Sequence, residues 1–167
     1  MGVRPGGLLI ADALADVAGS SSRALPGASL PVLRAVPLFA GLSDRHLRKV
    51  ARLALLARYR GGVAIVREGA RGHDFFVILE GSAAVTRRGA PVPAAALGAG
   101  DHFGEMALLD RGPRSATVTT RTAMTALRIP AAAFQKLLRS EPTIAVALLE
   151  TLSLRIRDLE ARVPSEL

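Results

Sequence analysis

Glu105 and Arg114, nine residues apart, are a carboxylate and a guanidinium that could meet on one small ligand. Glu105 stands in Phe103-Gly104-Glu105-Met106-Ala107-Leu108-Leu109, and Arg114 follows Gly112-Pro113 and precedes Ser115-Ala116-Thr117-Val118. Phe103 and Gly104 end a strand-like run, whereas Glu105 to Leu109 are good helix formers, enough for one short turn. A helix that starts at a glycine presents unpaired backbone N–H groups and the positive end of its dipole, which suits an anion. The Gly112-Pro113 turn brings the chain back toward that start, and the planar fork of Arg114 matches the paired oxygens of a phosphate. A carboxylate is out of place beside a phosphate unless it faces something else, such as a sugar hydroxyl. The chemistry is that of one phosphate, one ribose hydroxyl and a compact ligand.

Other chemistries find little support. His46, His73 and His102 are isolated, and no two stand at HxH or HxxxH spacing. Asp101-His102-Phe103-Gly104-Glu105 places one His near one Glu, too few for a metal site. No Ser-His-Asp arrangement is visible, so neither catalytic nor metal-binding residues are expected. The chain has no Cys, hence no disulfide or thiolate site, which is compatible with a reducing compartment.

The elements that must position Glu105 and Arg114 are legible in the hydrophobic pattern. Residues 1–30 are rich in Gly, Ser, Pro and Ala and read as a flexible tail, with one short apolar patch at Leu8 to Val17. Leu30 to Phe39 leads into Ser43, an N-cap with Asp44 behind it, and Leu47, Val50, Ala51, Ala54 and Leu55 recur at helical spacing to about Ala57. From Arg58 to Ile129 the texture is short β-rich runs broken by glycine, with strands expected at 58–60, 63–66, 74–80, 83–87, 94–97, 102–103, 115–120 and 123–129. Short strands so spaced argue a sandwich or barrel-like roll. Pro91-Val92-Pro93 belongs to an edge or hairpin tip. Beyond Pro130, helices are expected over 131–140 and 143–163, separated at Glu141-Pro142.

Phe103 to Leu108 followed by Pro113 to Val118 resembles the phosphate-binding cassette of cyclic nucleotide-binding domains, which occur in bacterial catabolite-activator-type regulators, kinase regulatory subunits and gated channels. The likeness extends through Pro37 to Ser43, Val66 to Gly72, Phe75 to Gly81 and Leu97 to Asp101, covering roughly residues 36–160. It implies a mainly β fold: an eight-stranded antiparallel, jelly-roll-like β-roll with one N-terminal helix, a short cassette helix and two C-terminal helices, filling 31–167. The resemblance assigns Arg114 to the cyclic phosphate and Glu105 to the ribose 2′-hydroxyl. Met106 and Ala107 would offer N–H groups to the phosphate, and Gly104 permits the tight approach. Ser115 would reach phosphate or base and leans to cyclic AMP over cyclic GMP, while Val85 matches a position that packs on the base or serves as ordinary core.

The formal charge is +8, with 20 of the 22 basic residues Arg. Those arginines are scattered without an aromatic stripe, so no nucleic-acid partner is expected. No apolar run approaches the ~18–20 residues of a membrane span, and the chain is read as cytoplasmic. No helix-turn-helix, kinase or transmembrane pattern follows the sensing module, so its output is expected through an unidentified protein effector or a second copy. Ala145, Leu149, Leu152, Ile156, Leu159 and Val163 are spaced 4, 3, 4, 3 and 4, a heptad seam. That stripe would either pack on the chain's own roll or form a homodimer through residues 143–163. Two other classes were weighed: a nucleotide-free scaffold acting by protein–protein contact, and a metal-dependent β-roll enzyme, which the scattered histidines disfavour.

Overall fold

A computed structural model describes residues 30–90 and 93–162. The apolar patch at Leu8 to Val17, most of the expected tail, Pro91, Val92 and Val163 lie outside the described residues.

Eight strands form two four-stranded antiparallel sheets. They are β1 (Leu55–Tyr59), β2 (Ala64–Val66), β3 (Asp74–Glu80), β4 (Ala83–Thr86), β5 (Ala95–Leu97), β6 (His102–Phe103), β7 (Thr117–Thr120) and β8 (Met124–Pro130). One sheet has the order β1-β8-β3-β6 and the other β2-β7-β4-β5, so the chain alternates between layers except at β4 and β5, which are paired neighbours in one sheet. This is the expected β-roll.

Among the described residues, five helices flank it: α1 (Leu30–Arg34), α2 (Asp44–Leu53), α3 (Glu105–Leu109), α4 (Ala131–Ser140) and α5 (Pro142–Arg162), with a 3-10 turn at Pro37–Phe39. The N-terminal region therefore holds more than the single helix expected. Leu30, assigned to the tail, already begins α1, because Leu33 and Val36 are buried in the core that α2 also covers. The long N-terminal helix ends earlier than expected. Ser43 caps it through the His46 N–H, but Ala54 is already extended. Leu55 to Ala57 instead pair with Leu127, Ala126 and their neighbours on β8. Leu53 to Ala57 is apolar throughout and satisfies either period, so the cross-strand partner decides.

The apolar run Phe75 to Leu79 is explained by burial on both faces. Phe75 and Val77 point into a core shared with α1, α2, α4 and α5, together with Leu127, Ile129, Phe134 and Leu148. Phe76 and Ile78 point into the roll with Tyr59, Phe103, Val118 and Ala126. Burial pushes the Tyr59 phenol up to about 12, partly opposed by Arg128. β6 splits in the same way: Phe103 stacks on Phe76 at 4.8 Å inside the roll, while His102 lies against Phe75 at 5.5 Å on the helix side.

Gly81, at φ +88°, closes β3 onto β4; a Cβ there would stand 2.3 Å from the Ala123 carbonyl oxygen. The break between α4 and α5 is pinned by Glu141, whose buried carboxylate meets His46 Nδ1 at 3.0 Å and Lys49 Nζ at 3.4 Å. Two residues of α2, His46 and Lys49, are thus tied to the joint between α4 and α5.

Candidate ligand-binding site

The loop between β6 and β7 carries the residues singled out from the sequence, and the structure brings most of them together. Gly104 adopts φ +91° as the N-cap of α3. A Cβ there would lie 2.7 Å from Arg114 Nη1 and 2.9 Å from the Asp74 carbonyl oxygen, so only glycine fits. Arg114 turns back across this point, as the Gly112-Pro113 turn suggested. Its Nη1 donates to the Gly104 carbonyl at 2.9 Å and its Nη2 to the Asp74 carbonyl at 2.8 Å. Both acceptors are main-chain atoms of the roll, so the guanidinium is fixed by the fold itself. Two of its five N–H donors are used this way, which leaves further donors of the fork for an anion.

Arg114 is buried, and its pKa falls below the ordinary guanidinium value because burial disfavours the cation, against the carboxylates of Asp74 and Glu105. The Asp74 carboxyl is shifted upward by its own burial, opposed by Arg128, Arg114 and His73. Gly72 supports the same corner. A Cβ on it would meet Ala107 Cβ at 2.8 Å and Arg114 Cζ at 2.9 Å. Ala107 is buried beneath this packing, whereas Met106 is exposed at the front.

Glu105 is 1% exposed, and its surroundings differ from those expected of an open acceptor. Its Oε1 accepts from Arg155 Nη1 of α5 at 2.6 Å. His102 Nδ1 faces Oε2 at 3.5 Å, and neither of these two buried atoms has a hydrogen-bond partner among the described residues. Burial works to raise the Glu105 pKa, but His102, Arg155 and the residue's own N–H together outweigh it and hold the carboxyl below its ordinary value.

Ser115 is exposed, with Oγ 3.7 Å from Met106 Sδ. Val85 is half-buried at the edge of the roll's interior, opposite Val118 on β7 and grouped with Ile65 and Leu97. The cassette helix is also wired to the C-terminal helices: Leu108 is buried among them, and its carbonyl accepts from Gln135 Nε2 of α4 at 2.9 Å.

Sequence reasoning missed His102 and Gly72 as parts of this site. His102 was judged against metal chemistry, where it is indeed solitary. The usable signal was its place three residues before Glu105 on a strand whose next residue, Phe103, must face the roll. No group of three or more His, Cys, Asp or Glu side chains that could hold a metal exists among the described residues.

A family model described as "Cyclic nucleotide-binding domain" matches residues 56–141. The chain is 44% identical over 85 residues, half of its own length, to a cAMP-dependent protein kinase regulatory subunit of Mycosarcoma maydis. It is 39% identical over 120 residues, 72% of its length, to a cyclic nucleotide-gated potassium channel of Rhizobium etli. It spans only 16% of the first relative and 33% of the second. Among solved structures, the catabolite activator protein of Thermus thermophilus superposes with a TM-score of 0.68 at 29% identity, covering 75% of this chain and 60% of that one. The regulatory domain of Toxoplasma gondii PKA, crystallised with cAMP, gives 0.68 at 25% identity over 75% of this chain and 49% of that one.

Proposed function

The chain belongs to the cyclic nucleotide-binding domain family, and we propose on that premise that it binds a cyclic nucleoside monophosphate, cyclic AMP in preference to cyclic GMP, without catalysis. The observation that carries the reading is the seating of Arg114. A buried guanidinium is held by the carbonyls of Gly104 and Asp74, beside a left-handed glycine that starts a helix, and the rest of its fork is left for an anion. Its remaining donors and the N–H groups of Met106 and Ala107 would hold the cyclic phosphate. Glu105 would accept from the ribose 2′-hydroxyl. Val85 and Ser115 would flank the base, and serine is the basis for the cyclic AMP preference. Calorimetric titration with both nucleotides tests this; absence of heat with either overturns it.

Occupancy would be transmitted through the C-terminal helices. The ribose meets the same carboxylate that Arg155 of α5 holds, and α4 is bonded to the end of the cassette helix through Gln135. The recipient would be a protein effector or a second copy. Along α5, Ile144, Leu148 and half-buried Thr151 and Arg155 face the roll, while Leu149, Ile156 and Leu159 of the heptad seam are exposed. Three of the seam's residues thus stay exposed while Ala145 and Leu152 are half-buried, and the exposed part supports the homodimer through residues 143–163. Light scattering that finds a monomer at high concentration would refute the dimer.

No helix among the described residues is long and apolar enough to cross a membrane. A cytoplasmic location is proposed with the function.

A further inference from the structure

The ribose-facing carboxylate has two oxygens held by elements of unequal kind. Oε1 is paired with Arg155, which comes from the final two turns of α5 and whose side chain is 43% exposed. Oε2 faces His102 Nδ1, which comes from β6 and is nine-tenths buried. The ring of His102 is packed against Phe75, and its residue, on the edge strand β6, pairs with Val77 of the inner strand β3. Its position is therefore set by the roll and not by the helix. An acceptor and a ring nitrogen, both buried and both without a hydrogen-bond partner among the described residues, stand 3.5 Å apart. A few tenths of an ångström would close them into a charge-assisted hydrogen bond, and leaving either unpaired in a buried site is costly.

We propose that His102 is a positioning residue for ribose recognition: its Nδ1–H is donated to Glu105 Oε2 and aims the carboxylate so that Oε1 meets the 2′-hydroxyl. The inference rests on the cyclic nucleotide reading and names a residue which that reading does not use. The assignment fixes the tautomer. Because Glu105 is an acceptor, Nδ1 must carry the proton. Arg155 cannot do this duty alone, since it contacts only the oxygen the ribose would share and sits on the element that would respond to ligand. His102 also lines a cavity of about 290 Å³ beneath α5, bounded by Leu38, Asp101, Thr151, Leu154 and Arg155. The imidazole thus joins the underside of the helix to the ribose site through β6.

The test compares affinities for cyclic AMP and 2′-deoxy cyclic AMP in the full chain carrying His102, His102→Phe or His102→Asn. Phenylalanine keeps the ring against Phe75 but has no donor; asparagine places an amide near where Nδ1 stood. The wild type should prefer the ribonucleotide by about tenfold, the worth of a hydrogen bond to a charged group. His102→Phe should compress that preference to within about twofold, and His102→Asn should restore a substantial part of it. A purely structural role would weaken both ligands alike and leave the ratio unchanged, and that result overturns the proposal. If His102→Phe does not fold, ¹⁵N chemical shifts of His102 in the wild type decide, because a neutral ring protonated only on Nε2 is incompatible with donation to Glu105. A wild type that binds neither cyclic nucleotide brings down the functional reading and the proposal with it, and the ¹⁵N spectrum then reports separately whether the His102–Glu105 pair exists.

Discussion

The two charged halves of the site are built on opposite plans. Arg114 is held by main-chain carbonyls of Gly104 and Asp74, inside a corner so tight that a methyl on Gly104 or Gly72 would collide with it. Glu105 is held by side chains, His102 from a strand and Arg155 from an exposed helix end. A contact to the backbone of a sheet cannot change without changing the sheet. A contact to an arginine on the last turns of a helix can. The difference teaches that the half proposed for the phosphate is set by folding alone, whereas the half proposed for the ribose is where occupancy would be felt elsewhere. Placing the responsive contact on the sugar also protects the anchor: the helix would move without loosening the phosphate.

The largest effect should come from the preset half. Arg114→Ala removes one partner of a buried charged interaction, worth roughly 2–5 kcal/mol, or about 30- to several-thousand-fold in affinity. The fold should survive, because the Gly104 and Asp74 carbonyls lie where water can reach them once the side chain is gone. Binding unchanged in Arg114→Ala, measured calorimetrically, would mean the phosphate sits elsewhere.

Gly72→Ala probes the same half without touching a ligand-binding group. The added Cβ at 2.8 Å from Ala107 and 2.9 Å from Arg114 Cζ must push the cassette helix or the guanidinium aside. Overpacking of this kind costs roughly 1–3 kcal/mol, divided between stability and binding. We expect about a tenfold loss of affinity, equal for ribo- and deoxyribonucleotide, with a lowered melting temperature. A loss confined to the ribonucleotide would show that the two halves are not separate.

Much of this arrangement could be read from the sequence, and for identifiable reasons. The cassette was legible because Gly104, Glu105, Pro113 and Arg114 each do something only that residue type does, at a spacing a short helix and a turn explain. Strand β3 was placed to its ends because Phe75 to Leu79 is continuously apolar between a turn glycine and Gly81. The start of β1 was not legible, since Leu53 to Ala57 fits a helix as well as a strand until β8 is there to pair with it. The partners of Glu105 were hidden for a deeper reason. His102 and Arg155 lie 3 and 50 residues from it, and no local pattern says that a strand histidine and a helix-end arginine will converge on one carboxylate.

Glu105→Ala and removal of the ribose hydroxyl should each cost about tenfold in affinity, the range for a hydrogen bond to a charged group. Their losses should not add, because both delete one bond and a double cycle then shows coupling. Full additivity would assign Glu105 to the helix start alone and erase the contrast between the halves. The carboxylate also leaves a signature in stability. Its folded pKa is lowered, so the stabilisation it gives is present above the unfolded pKa and is lost as pH falls through the folded one. Acid unfolding followed in Glu105→Gln should lack that part of the pH dependence.

The smallest effect on affinity, and the sharpest on the comparison, belongs to Arg155→Ala. The side chain of Arg155 is 43% exposed, so its pairing with Glu105 is screened by solvent, and exposed pairs are worth about 0–1 kcal/mol. Affinity for cyclic AMP should therefore stay within about fivefold of the wild type. What should vanish is the reply of α5. In the wild type, ligand would touch a carboxylate that the helix also touches, so amides from Leu152 to Leu159 should change their hydrogen-exchange protection on binding. With Arg155 gone, the carboxylate keeps only its strand-borne neighbour, His102, and the helix has no side chain left on the ribose half. Its exchange should then be the same with and without nucleotide, while Met106 and Ala107 still respond. An effector shifts a population only by its differential interaction with the two states, and Arg155 is the residue through which α5 would sense that difference. Should α5 in Arg155→Ala respond to nucleotide as fully as the wild type, the signal must run instead through Leu108, Gln135 and α4, and the responsive half would be the phosphate one.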